Sequence, residues 1–154
     1  MTGSAYRSFM DTTSESREMY PLGRDEVESR RLNEQHKFLL GVVDGIIDRD
    51  VPLDNVSAVA DVATGTGIWL WDAKQLLKQK AGGSSARSYH GFDISAAQFP
   101  STTPQSIQLS VQDVFQPFPA EFLNHFDLVH VRLMVTAFPE SKFQKAVCIN
   151  KAWP

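Results

Sequence analysis

The apolar positions change rhythm once along the chain. Over residues 25–47, "DEVESRRLNEQHKFLLGVVDGII", Val27, Leu32, Phe38, Leu39, Val42, Val43 and Ile46 recur near the helical period, behind an acidic start that suits a helix N-terminus. The spacing predicts one or two helices with those residues turned inward. "DRDVPLDN" then ends the helical part with a proline and turn-forming acids. Beyond it, short β-branched runs predict strands at 57–63, 88–94, 107–111 and 127–133. Between the first two, "GIWLWDAKQLLKQKA" predicts a helix with Ile68, Trp69, Trp71, Leu76 and Leu77 inward, which "GGSSARS" terminates. "SAAQFPSTTPQS" is too rich in proline for more than one turn, "FPAEFLNHF" has room for a short helix, and "PESKFQKAVCINKAW" predicts a final one. Strands separated by crossovers build a mostly parallel sheet covered on both faces, so the expected fold is α/β, with about four strands and an N-terminal helical segment. The expected organisation is a polar arm over 1–24, the helical segment over 25–50, and the α/β domain over 51–154.

Composition narrows the picture by exclusion. The 154 residues, 42% hydrophobic and 21% charged, suit one globular domain. A net charge of −3 supplies no basic stripe, so a nucleic acid is not the expected partner. No apolar run approaches the roughly 18 residues that cross a bilayer, and the polar N-terminus lacks the pattern of a secretory signal. A single cysteine, Cys148, excludes an internal disulfide framework, and the expected location is cytoplasmic, or nuclear for a regulatory role. Neither His36 nor His130 has metal-ligand spacing with another His or acid, so no metal is expected.

The chemistry begins at "VADVATGTGIW". In open parallel sheets ligands settle beyond the carboxyl ends of the strands, and here the first strand runs straight into a turn containing Gly65 and Gly67. A dinucleotide fingerprint would need a third glycine where Leu70 stands, and Asp61 would repel a pyrophosphate. A carboxylate at that place suits a ligand ammonium, directly or through water. The second strand ends in "HGFDIS", where Asp93 can accept ribose hydroxyls. The third ends in "VQDVF", where Asp113 can accept an exocyclic adenine amine beside Val114 and Phe115. One acid at a strand end is ordinarily a cap or turn residue. Three at successive strand ends, the first attached to a glycine turn, describe S-adenosylmethionine.

Four blocks, "ESRRLNEQHKFLL", "VADVATGTGIWLWDAK", "GFDISAAQFP" and "VQDVFQPFPAEFLNHFDLVHVRL", resemble the class I, Rossmann-like S-adenosylmethionine-dependent methyltransferases, and among them the small-molecule methyltransferases and methyltransferase-like regulators of fungal secondary metabolism. The resemblance implies that Asp61, Gly65 and Gly67 hold the methionine part of the cofactor, with Ala63 where the family commonly has its first glycine. It implies Asp93 at the ribose, Gln112 and Asp113 at the adenine, and His130, in "HVRL", near the methyl group and acceptor. It further implies that the helix carrying "RLNEQH" closes over the cofactor as a lid, bringing Arg31, Asn33 or His36 towards its carboxylate.

Members of the class continue through a fifth strand and an antiparallel sixth and seventh pair, which are not found here. The resemblance therefore implies that the fourth strand lies at an open sheet edge, which invites a protein partner or a second copy. The expected function is methyl transfer to a small metabolite acceptor, with His130 as the base where the acceptor must lose a proton. The alternatives are a shortened, weakly active or inactive methyltransferase-like module acting through a protein partner and, less favoured, an NAD-dependent oxidoreductase.

Overall fold

The computed structural model describes residues 25–80 and 86–134. The expected arm over 1–24, the final helix after residue 138 and Cys148 lie outside the described residues.

Helix α1, Glu26–Val42, starts where Asp25 turns its carboxylate onto the Glu28 N–H, 2.9 Å away, and satisfies one of the free donors of the first turn. It stops one turn short of the expected end: Val43 is extended, and Gly45 follows at φ +104°. The expected inward face is corrected by the structure, because Val27, Phe38, Val42 and Val43 are exposed while Glu28 and His36 are buried. The reason is what lies beneath. α1 covers the polar carboxyl ends of the strands, so its inner face carries hydrogen-bonding groups.

The strands are β1 (Ala58–Val62), β2 (Ser88–Asp93), β3 (Ile107–Val111) and β4 (Leu128–Val131), all parallel, in the order β3-β2-β1-β4. Among the described residues β4 pairs only with β1, at the edge, as expected. β1 is buried throughout, and its alternating side chains divide the core in two. On one face Val59 packs with Trp69, Leu70, Ala73 and Leu77 of helix α2, Ile68–Lys80. Trp71, expected inward, is instead 46% exposed, since the buried stripe of α2 runs through the residues on either side of it. On the other face Ala60 and Val62 pack with Phe92, whose ring meets Phe118, Phe122 and Phe126 edge-on at 4.9 to 6.0 Å between centroids. The expected short helices are single 3-10 turns at Ala96–Gln98 and Ala120–Phe122.

One polar and one steric device fit the strands together. The Asp127 carboxylate accepts from the Ser57 and Ala58 N–H groups at 2.8 and 2.9 Å, tying β4 to the start of β1, and those bonds hold it below the usual carboxylate range. In mid-sheet, Gly91 allows the β1 turn to approach: a Cβ there would lie 2.6 Å from Leu109 Cδ2 and 2.8 Å from Thr64 Oγ1.

Candidate functional site

Between β1 and α2 the chain reverses through Ala63, Gly65 and Gly67, at φ +59°, +56° and +75°. All three are left-handed, which glycine adopts freely and alanine does not. The turn is fastened to its neighbours in strand order. Thr64 N–H donates to Phe92 O at 3.0 Å, Gly65 N–H donates to Asp93 Oδ2 at 2.8 Å, and Gln112 N–H donates to Asp93 O at 2.8 Å. The carboxyl ends of β1, β2 and β3 thus form one continuous rim, with Asp93 at its centre.

The predicted residues fare differently on that rim. Asp93 also accepts from Ser95 N–H at 3.3 Å and remains partly accessible. Asp113 accepts from Phe115 N–H at 2.9 Å through Oδ1, a local turn of the kind Asp commonly makes. The Gln112 side-chain amide bonds back to the carbonyl of Asp113 at 3.0 Å, with Gln116 O and Pro117 O at 3.3 and 3.4 Å, so it staples its own loop. Asp61 is 3% exposed, and both its oxygens are engaged: Oδ2 accepts from Thr64 Oγ1 and Oδ1 meets His130 Nδ1, each at 2.7 Å. The His130 ring lies flat on Trp69, 3.8 Å between centroids and 3° from parallel.

α1 closes over this end of the sheet. Leu32 Cδ1 lies 3.2 Å from where a Cβ on Gly65 would be, and Asn33 Oδ1 accepts from Thr66 Oγ1 at 2.6 Å. His36 is buried between α2 and β4, with Nε2 2.9 Å from Asp72 Oδ2 and Nδ1 2.5 Å from Arg132 Nη2. Arginine only donates, so Nδ1 is the acceptor and Nε2–H donates to Asp72. Burial lowers the Arg132 pKa, while Asp61 and Asp72 oppose the shift. Of the three lid residues implied by the resemblance, Asn33 meets the glycine turn, His36 is held by Asp72 and Arg132, and Arg31 forks onto Glu28 at 2.7 Å.

An open cleft of about 790 Å³ adjoins the turn at Thr66 and Gly67, lined by Trp71, Phe99 and Pro104 among others. Asp61, Asp93 and Asp113 are not among its lining residues. This cleft and the acidic rim are therefore neighbours and not the same place. Among the described residues no group of three or more His, Cys, Asp or Glu gathers to hold a metal, and no helix is long and apolar enough to cross a membrane.

Thr64, Asp72 and Arg132 were not anticipated. Arg132 had a usable signal, since it lies two residues beyond His130 in the run expected as the fourth strand, a spacing that puts both on one face. Asp72 had none, because only the packing of α1 on α2 brings it to His36.

No family model matches the chain. Curated proteins do: the methyltransferase grgD of a Penicillium species is 34% identical over 131 residues, covering 84% of this chain and 46% of that protein. The N-methyltransferase gliN of Aspergillus fumigatus is 30% identical over 139 residues, 90% of this chain and 47% of its own. The N-methyltransferase sirN of Leptosphaeria maculans is 34% identical over 117 residues, 75% and 39% respectively. The chain spans just under half the length of the first two. A solved complex of the Haloferax volcanii Trm112 methyltransferase activator with a methyltransferase contains a chain that covers 53% of this one at a TM-score of 0.40 and 21% identity; 34% of that chain is matched, a likeness too distant to carry function. By its sequence the chain is thus related to fungal methyltransferases over just under half of their length, and its four parallel strands and overlying helices form a Rossmann-like α/β fold.

Proposed function

We propose that the chain binds S-adenosylmethionine along the rim joining β1, β2 and β3 and serves methyl transfer to a small-molecule acceptor of fungal secondary metabolism. The observation that carries the reading is the bond from Gly65 N–H to Asp93 Oδ2, which places a partly accessible carboxylate directly against a left-handed glycine turn. The donor set fits this cofactor. Gly65 and Gly67 leave the backbone bare beside the methionine part, and the partly accessible Asp93 carboxylate is the acceptor for the ribose hydroxyls. Asp113 keeps Oδ2 for the adenine amine, with Val114 and Phe115 supplying apolar neighbours. Asp61, already bonded on both oxygens, contributes its negative charge beneath the ammonium and reaches it through water. Gln112 acts by holding the adenine loop closed, and His36 by holding the lid.

When bound, the cofactor supplies an electrophilic methyl group on a sulfonium. The chain's part is to orient donor and acceptor and to exclude water, which Leu32, Asn33 and the rest of α1 do from above. His130, on the strand beside Asp61, is the candidate base for an acceptor that must lose a proton. The sheet edge at β4 is the place for a protein partner or a second copy.

Replacing Asp93 by alanine removes both the acceptor of the ribose and the partner of Gly65. Affinity for S-adenosylhomocysteine is expected to fall by about 1–3 kcal/mol, read by calorimetry on the folded variant. Unchanged affinity, or a preference of the parent chain for NAD, would reject the assignment.

A further inference from the structure

We propose that Asp61 is a positioning residue for His130: its buried carboxylate fixes the imidazole as the Nδ1–H tautomer and thereby keeps Nε2 as the proton acceptor for the methyl-accepting group. The inference rests on the methyl-transfer reading and deepens it, because it gives Asp61 a task beyond its charge at the cofactor's amino-acid end.

Two contacts hold the ring, and a third holds the carboxylate that orients it. The bond to Asp61 Oδ1 at 2.7 Å determines which nitrogen carries the proton, since an ionised carboxylate can only accept. Trp69, stacked at 3.8 Å and 3°, sets the plane of the ring. Thr64 Oγ1, at 2.7 Å from Asp61 Oδ2, stops the carboxylate from rotating away. The accessibility of the pair is asymmetric: the Asp61 side chain is 4% exposed and the His130 side chain 20%. Among the described residues Nε2 has no hydrogen-bond partner. A purely structural pair would bury both rings of contact. Here the orienting group is sealed while the reactive one reaches the surface, beside the glycine turn. This is the logic by which an acid orients a histidine base in other enzymes.

The transfer balances without a further reactant. As the acceptor's lone pair forms its bond to the methyl carbon, its proton passes to Nε2, and the pair of the breaking C–S bond stays on sulfur. The positive charge lost from the sulfonium reappears on the imidazolium, next to the Asp61 carboxylate.

The test is the tautomer of His130 in the full chain, read from long-range nitrogen–proton correlations of the ¹⁵N-labelled protein at mildly alkaline pH. The Nδ1–H form is expected in the parent. Asp61→Asn is expected to convert it to Nε2–H, because the amide can then donate to Nδ1, and acylation of His130 by diethyl pyrocarbonate is expected to be largely lost with it. Thr64→Val, which keeps the carboxylate but frees it, is expected to give a mixture of the two forms. An Nε2–H ring in the parent overturns the proposal whether or not either variant folds, as does an Asp61→Asn protein with its tautomer and acylation unchanged. Titration of the parent with S-adenosylhomocysteine separates the two readings. Binding together with an Nε2–H ring overturns the pair alone, whereas an Nδ1–H ring without binding overturns the methyl-transfer reading and the base role with it.

Discussion

Ala63 stands in a left-handed conformation, φ +59°, where an L-residue is disfavoured by about 1–2 kcal/mol. Glycine there would relieve that strain, although its freer unfolded chain offsets about 0.4–1 kcal/mol of the gain. Ala63→Gly is therefore expected to stabilise the fold by about 0.5–1 kcal/mol in urea melts. A second single-residue effect belongs to His90, buried against Phe92 at 4.4 Å and bonded through Nε2 to Ser110 at 2.8 Å. Burial, and secondarily the charge of His125, lowers its pKa from the usual 6.5. The folded state then binds the proton less readily than the unfolded one, so its stability contribution is intact above pH 6.5 and is lost as pH falls towards the lowered folded value. His90→Gln should flatten that part of the stability–pH curve, measured by denaturant melts across it. At this scale Asp61, Asp93 and Asp113 were legible because turn chemistry is local. The bond that engages Asp61 Oδ1 was not, since His130 lies 69 positions away in the chain.

The elements were legible in kind and less so in facing. All four strands lie within their expected spans, because alternation and β-branching act along a few neighbouring residues. α1 shows why facing failed. Its apolar residues were expected inward on the assumption that a helix buries what is greasy, but it lies across polar strand ends, and Glu28 and His36 are what it buries. Its attachment is correspondingly polar. His36→Phe would keep the volume while leaving Asp72 and Arg132 without their shared partner, at a cost of about 1–3 kcal/mol. Hydrogen exchange of the α1 amides should accelerate by the corresponding factor, while the amides of β1, buried in the middle of the sheet, should respond far less. Equal acceleration in both elements would mean that α1 does not open separately.

For the whole molecule, topology does what no element does alone. The parallel crossovers place β1 between β2 and β4, so that Asp61 lies in register with Gly91 on one side and His130 on the other. The same order leaves β4 paired on one side only among the described residues, and such an edge is a template for another strand. Concentration-dependent association is the expected behaviour, visible as a rise in light-scattering mass on concentrating the protein. A constant monomer mass across the range would show the edge to be covered.

By itself the sequence determined whatever depends on near neighbours: the α/β alternation, the glycine turn, and the acids that end β1, β2 and β3. Backbone propensity, turn chemistry and hydrophobic period are all short-range, and one chain displays them. Only the tertiary structure decided which side chains share those acids. It joined Asp61 to His130, and His36 to Asp72 and Arg132, because hydrogen-bond partners are chosen by packing and by burial away from water, and neither is written in the spacing of residues along the chain.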